Sequence, residues 1–329
     1  MIRTKLLVAA SILLPACMIA QTASKPLLLV ANQKDHSLSL IDVATNQQVA
    51  AVDVGGVTGH EVAASPDGRT AFVPIYGNSG VGKAGTDGQS IAVIDLASRK
   101  IVHTIDFPHG VRPHLPVFDP TGKILYVTTE LDQAITAFDP KTYKTLFTIP
   151  TTQNESHMFV VSKDGKRAYT ANVGPGNVSV LDLVSHKTIT VIPISGNTQR
   201  ISISRDGSMV FTSDQTKPQL AVIDTATNRI KTWIPMPATG YGSASTKDGR
   251  FLIIALRDPK QVAIIDLQAM KVVKTLDMPG LPVEVLVRPD GKFAYVSCNK
   301  KVAIIDTATM QVSGTIEAGA GADGLSWAE

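Results

Sequence analysis

The sequence predicts an all-β fold: one seven-bladed β-propeller with four antiparallel strands per blade. Three observations predict it. A turn dipeptide recurs at Asp67-Gly68, Thr121-Gly122, Asp164-Gly165, Asp206-Gly207, Asp248-Gly249 and Asp290-Gly291, with glycine spacings of 54, 43, 42, 42 and 42. An apolar run ending in aspartate recurs at Asp42, Asp95, Asp139, Asp182, Asp224, Asp266 and Asp306, with the same period of about 42. No segment sustains the 3.6-residue periodicity of a helix.

The elements follow in chain order. Arg3 and Lys5 precede a short apolar run over residues 6–14. That run is too short to span a bilayer as a stable helix and reads as a secretory signal. Residues 1–24 are therefore expected to be removed, leaving 25–329 as a single domain. Leu14-Pro15-Ala16-Cys17 offers an alternative end, a lipobox in which an acylated Cys17 becomes the mature N-terminus. Residues 27–54 hold three strands and lack the first strand of a blade. In each repeat the Asp-Gly turn supplies the positive φ of a tight hairpin. A strand such as Leu125-Tyr126-Val127 follows, then a polar loop and a strand such as Val262-Ala263-Ile264-Ile265. A turn such as Asp306-Thr307-Ala308-Thr309 leads to the last strand. The tail Asp323-Gly324-Leu325-Ser326-Trp327 reads as a lone first strand. It completes the N-terminal blade and closes the ring, which removes exposed strand edges.

Composition narrows the function classes. The chain has 329 residues, 44% hydrophobic and 18% charged, with a formal net charge of +3. So small a charge argues against a nucleic-acid groove. With Cys17 in the leader, Cys298 is alone in the folded body and cannot form an intramolecular disulfide. The exported body must hold together by its core and ring closure, and is expected to be a monomer.

Ser65-Pro66-Asp67-Gly68, Val222-Ile223-Asp224, Leu29-Val30-Ala31-Asn32 and Tyr295-Val296-Ser297-Cys298-Asn299 resemble the YVTN-type propeller repeat. The resemblance covers essentially the mature chain. It implies an exported bacterial protein, periplasmic, anchored to the outer membrane or extracellular, and more distantly the lactonase-type propellers. Fold alone does not assign an activity.

In an up-and-down blade, the loops entering strand one and those between strands two and three share a face. The residue seven before each turn dipeptide is His60, His114, His157, Gln199, Tyr241 and Val283. Glu61, Arg112, Glu155, Arg200 and Glu284 stand beside them. After strand two come Tyr76, Glu130, Asn172, Asp214, Arg257 and Asn299. The ligand-binding set expected at one mouth of the channel is His60, Glu61, Tyr76, Arg112, His114, Glu130, Glu155, His157, Asn172 and Arg200. His60, His114 and His157 could hold a divalent transition metal, since imidazole suits such ions. Alternatively Arg112 and Arg200 beside the histidines make an anion pocket without metal. The histidines could also serve the repeat structurally, bonding neighbouring backbone.

From Gly68 to Asp95 the spacing is 27, against 17 from Gly165 to Asp182, Gly207 to Asp224 and Gly249 to Asp266. The extra residues lie in 76–89, a Gly-rich loop on the same face, read as a lid or as a tolerated insertion. Its segment Gly77-Asn78-Ser79-Gly80-Val81-Gly82-Lys83-Ala84 nearly spells a P-loop, but Ala84 replaces the Mg²⁺-ligating Ser or Thr and no helix follows. Cys298 is expected to be a small buried residue.

The sequence thus points to an exported binding or scaffold propeller, taking a small molecule or another exported protein at the His-rich mouth. It would touch membrane only through a lipid on Cys17. A metal-dependent, lactonase-like hydrolase, with Glu61, Glu130 or Glu155 as ligand or base, is the alternative from another class. A docking propeller that uses its rim is the third.

Overall fold

The structure, a computed structural model, describes residues 26–329 apart from Thr58 and Ser79. The leader at residues 1–24 and the acylation reading at Cys17 lie outside the described residues. Among the described residues there is no helix, and the strands form six sheets.

The expected count of seven four-stranded blades is corrected. Five sheets have four strands and the sixth has six, in the order Pro282–Val287, Phe293–Asp306, Gln311–Ala328, Leu27–Asn32, Ser37–Asp42 and Gln47–Asp53. The physical reason lies in two long strands. Phe293–Asp306 runs unbroken for 14 residues and Gln311–Ala328 for 18, where the sequence suggests a loop and a break between units. The later part of Gln311–Ala328 pairs with the first strand, Leu27↔Ala328 to Val30↔Leu325, so both ends of the chain meet in this sheet.

The Asp residues explain the turns. Ser65 Oγ donates to Asp67 Oδ1 at 2.6 Å, and Ser162, Ser204 and Thr246 do the same for Asp164, Asp206 and Asp248. Those hydroxyls hold the carboxyls below their usual range, Asp206 at about 2. The following glycines sit at φ between 66° and 79°. At the other set of turns, Asp42, Asp95, Asp182 and Asp266 accept backbone N–H groups two or three residues on.

The two middle strands of each four-stranded sheet are buried on both faces, so they read as apolar runs rather than as an alternation. Leu29, Leu38 and Leu40 of the closing sheet pack on Val73, Ile75, Ala92 and Ile94 of the next. Equivalent clusters join each sheet to its neighbour, and another lies between the two halves of the six-stranded sheet. Each large side chain so buried contributes about 1.5–3 kcal/mol. The outermost strands are largely exposed, as in Gln47–Asp53. The first strands touch in order, and the end of Gln311–Ala328 touches both Pro282–Val287 and Ala63–Ala64, which closes the inner ring.

Candidate functional site

The inner ring surrounds two cavities, one at each mouth. The upper cavity, about 640 Å³, is lined by His60, His114, His157, Gln199, Tyr241 and Val283, the whole register read from the repeats. Tyr76, Glu155 and Arg200 line it as well.

Three imidazoles lie side by side. Ring centroids are 5.1 Å apart for His60 and His114, and 3.8 Å for His114 and His157. Tyr76 packs edge-on to His60 and His114 at 5.0 and 5.3 Å. Both ring nitrogens of His114 and Nδ1 of His157 are buried without a hydrogen-bond partner. Burial holds His114 well below the usual histidine range and His157 at about 3, with neighbouring positive charge adding to it. Both rings are therefore neutral at pH 7. His60 is tied differently: the Gln33 amide lies 3.2 Å from its Nε2, and its Nδ1 is 3.6 Å from Asp323.

Contact between rings is not coordination geometry. Among the described residues no group of three or more His, Cys, Asp or Glu side chains is arranged to hold a metal ion. The cavity offers neutral imidazole nitrogens as hydrogen-bonding groups instead.

Arg200 closes the floor. Its Nη2 donates to Asp323 Oδ1 at 2.6 Å and lies 3.0 Å from Glu61 Oε1, and its Nη1 donates to Glu284 Oε2. The Glu61 approach is close but misaligned, leaving its Oε1 without a formal hydrogen bond. Burial pushes Glu61 well above the usual carboxylate range and raises Glu284 too. Burial opposes the charge on Asp323, but Arg200 and His60 outweigh it and keep its carboxyl low. Glu61 and Glu284 line the lower cavity rather than the upper. The cluster is thus a charged plug between the two.

Arg112 and Glu130 lie outside the cavity lining, behind Tyr76, and fasten the Gly-rich loop. Arg112 donates to Asp87 Oδ1 at 2.6 Å, to the Lys83 carbonyl at 2.7 Å, and to Glu130 Oε1 at 3.3 Å. Tyr76 Oη donates to Glu130, whose carboxyl burial raises. These contacts hold part of the loop at the mouth, with Gly80, Val81, Gly82 and Lys83 in the lining. A Cβ on Gly82 would meet the Glu155 carboxylate at 2.5 Å, and Gly82 has a φ of 65°, so any other residue there would displace the Glu155 side chain and hold a strained φ. Among the described residues of the loop no phosphate cradle forms: the Asn78 and Lys83 N–H groups bond the Thr86 and Gly80 carbonyls.

Asn172 also lies off the cavity, its amide used by Ser156, Asn177 and Ser179. Arg112 and Glu155, each two residues before a histidine, take left-handed φ values of 51° and 53°. Such strain persists where surrounding contacts impose it. Lys34, Lys83, Gln33 and Asp323 line the cavity without having been picked out from the sequence. Lys83 was hidden in the near-P-loop, and Asp323 in a tail read only as a strand. Cys298 is buried and its thiol is pushed up to about 12 by burial.

The model of a family described as "Lactonase, 7-bladed beta-propeller" matches residues 15–231. The chain belongs to this lactonase propeller family. The family's description counts seven blades, whereas hydrogen bonding here joins the strands into six sheets. No curated protein matches the chain. Among solved structures, Kuenenia stuttgartiensis hydrazine synthase is similar at 23% identity and a TM-score of 0.73, over 86% of this chain and 92% of that one. A functionally unknown protein from Desulfotomaculum acetoxidans DSM 771 is similar at 12% identity and a TM-score of 0.76, over 91% and 98%. At these identities the likeness concerns fold alone. The YVTN-type repeat itself is not what the family match identifies.

Proposed function

We propose that this family member is a binding protein for a small, polar, anionic organic molecule, held at the upper mouth. The observation that carries the reading is the set of three unpaired, buried ring nitrogens on His114 and His157. A buried polar atom without a partner costs about 1–3 kcal/mol, which a ligand hydroxyl or carbonyl would recover. The sign of the ligand follows from the balance of charge in the lining, where Glu155 stands against three unpaired cations and Asp323 is held by Arg200. Lys34, Lys83 and Arg257 border the cavity, and among the described residues none pairs with a carboxylate. A hydroxycarboxylate satisfies both features. Titration with a panel of hydroxycarboxylates and matched neutral polyols tests it. Saturable binding of an acid, lost in His114→Leu, supports the reading; preference for the neutral polyol sinks it.

Hydrolysis of a lactone is the second reading, favoured by the family match. Its product is a hydroxycarboxylate, so the same lining would serve. A general base works best with a pKa near the operating pH, and His157 at about 3 is far from that. Burial of His157 therefore disfavours it as a general base. Export, with or without acylation of Cys17, is part of the proposal on the strength of Arg3, Lys5 and the apolar run. Cell fractionation and N-terminal mass determination check it.

A further inference from the structure

We propose a second binding site, at the lower mouth of the channel, for a single-chain anionic amphiphile. The lower cavity, about 460 Å³, is separated from the upper by the Arg200 plug. Glu61 and Glu284 of the plug line it too, each against Arg200; the rest of its wall is largely apolar, with Leu115, Met158, Val160, Ile201, Ile203 and Leu325 facing it from several inner strands. Its rim is basic. Lys163, Arg205 and Lys247 recur at intervals of 42, each just before the Asp of an Asp-Gly turn, in three consecutive sheets. The corresponding residues of the other turns are Pro66, Pro120 and Pro289, so the charge is confined to one arc. Arg288 extends that arc.

The neighbouring aspartates do not neutralise it. Asp164, Asp206 and Asp248 are held by the Ser or Thr hydroxyl two residues before them and by backbone N–H groups two residues on. They are absent from the lining, and among the described residues no carboxylate lies within 4.0 Å of Lys163, Arg205 or Lys247. Arg288 does contact Asp290, at 3.5 Å. Exposed cations around an apolar funnel fit a ligand with one anionic head and one alkyl chain. Desolvating the chain against the wall supplies affinity, and the rim selects the head. Carboxylate and phosphate heads share this chemistry.

The test is calorimetric titration of the full chain, below micelle concentrations, with octanoate, decanoate, decyl phosphate and neutral decyl maltoside. The expected result is saturable binding at one site, about tenfold or more tighter for decanoate than for octanoate. The neutral glycoside should bind at least tenfold more weakly than the better anion. Either ordering of decanoate and decyl phosphate supports the proposal and identifies the head. Arg205→Glu, and separately Lys163→Glu, should weaken binding about tenfold. His114→Leu, at the other mouth, should not change it, which separates this site from the upper one. Equal binding of the glycoside, indifference to both charge reversals, or equally tight binding of a poly-glutamate peptide would overturn it.

Discussion

His114 carries the tension between stability and function. Its two unpaired ring nitrogens lie in a residue only 1% exposed. His114→Leu removes two orphaned polar atoms and fills similar space. Thermal unfolding should show a gain of about 1 kcal/mol in stability together with loss of ligand binding. His157 gives a pH signature. Its folded pKa of about 3 lies below the ordinary 6.5, so the unfolded chain binds more protons between those values. The stability it contributes is complete above pH 6.5 and is lost as pH falls toward 3. Glu61 and Glu284, with raised values, act in the opposite sense above their ordinary 4.5. The readable quantity is therefore the stability of the wild type relative to His157→Gln, measured by denaturant unfolding across that window. The difference should shift in favour of the variant on acidification. The histidine register was legible in the sequence because the period aligned it. The orphaned nitrogens were not, since they depend on which polar atoms the fold places nearby.

The Gly-rich loop is the element that most changed in meaning. Its ten extra residues were countable, but its fastening was not, because that comes from Arg112, 23 residues beyond the end of the loop. That arginine was expected to face the ligand and instead holds the Lys83 carbonyl, Asp87 and Glu130. Glu130 and Asn172 share the error: strand-end residues alternate between channel and sheet, and register alone could not say which. Arg112→Lys cannot reproduce the forked contacts. Faster amide exchange over residues 80–84 is the expected outcome, with weaker ligand binding and little change in global stability. Gly82→Ala forces a Cβ onto Glu155 at a positive φ, and should cost roughly 1–2 kcal/mol in equilibrium unfolding.

At the scale of the whole molecule, the ring is braced both at its seam and across its channel. The repeat period made the propeller legible. The sheet count was not, because Phe293–Asp306 and Gln311–Ala328 continue through positions where the repeat suggested interruption. Deleting residues 323–329 removes the Leu27↔Ala328 to Val30↔Leu325 pairing and the Asp323 partner of Arg200. The truncated chain should lose its cooperative unfolding transition in calorimetry. Arg200→Met leaves three carboxylates facing each other in the channel, and should destabilise by roughly 3–5 kcal/mol in urea unfolding. The central claim concerns the upper cavity, which this frame holds open. Its most direct test is imidazole ¹⁵N NMR of His114 and His157 during titration with the hydroxycarboxylate that binds tightest. Saturable shifts on both rings, with each remaining neutral, are expected. Saturable binding of the acid that leaves both sets of ring nitrogens unmoved would contradict the account.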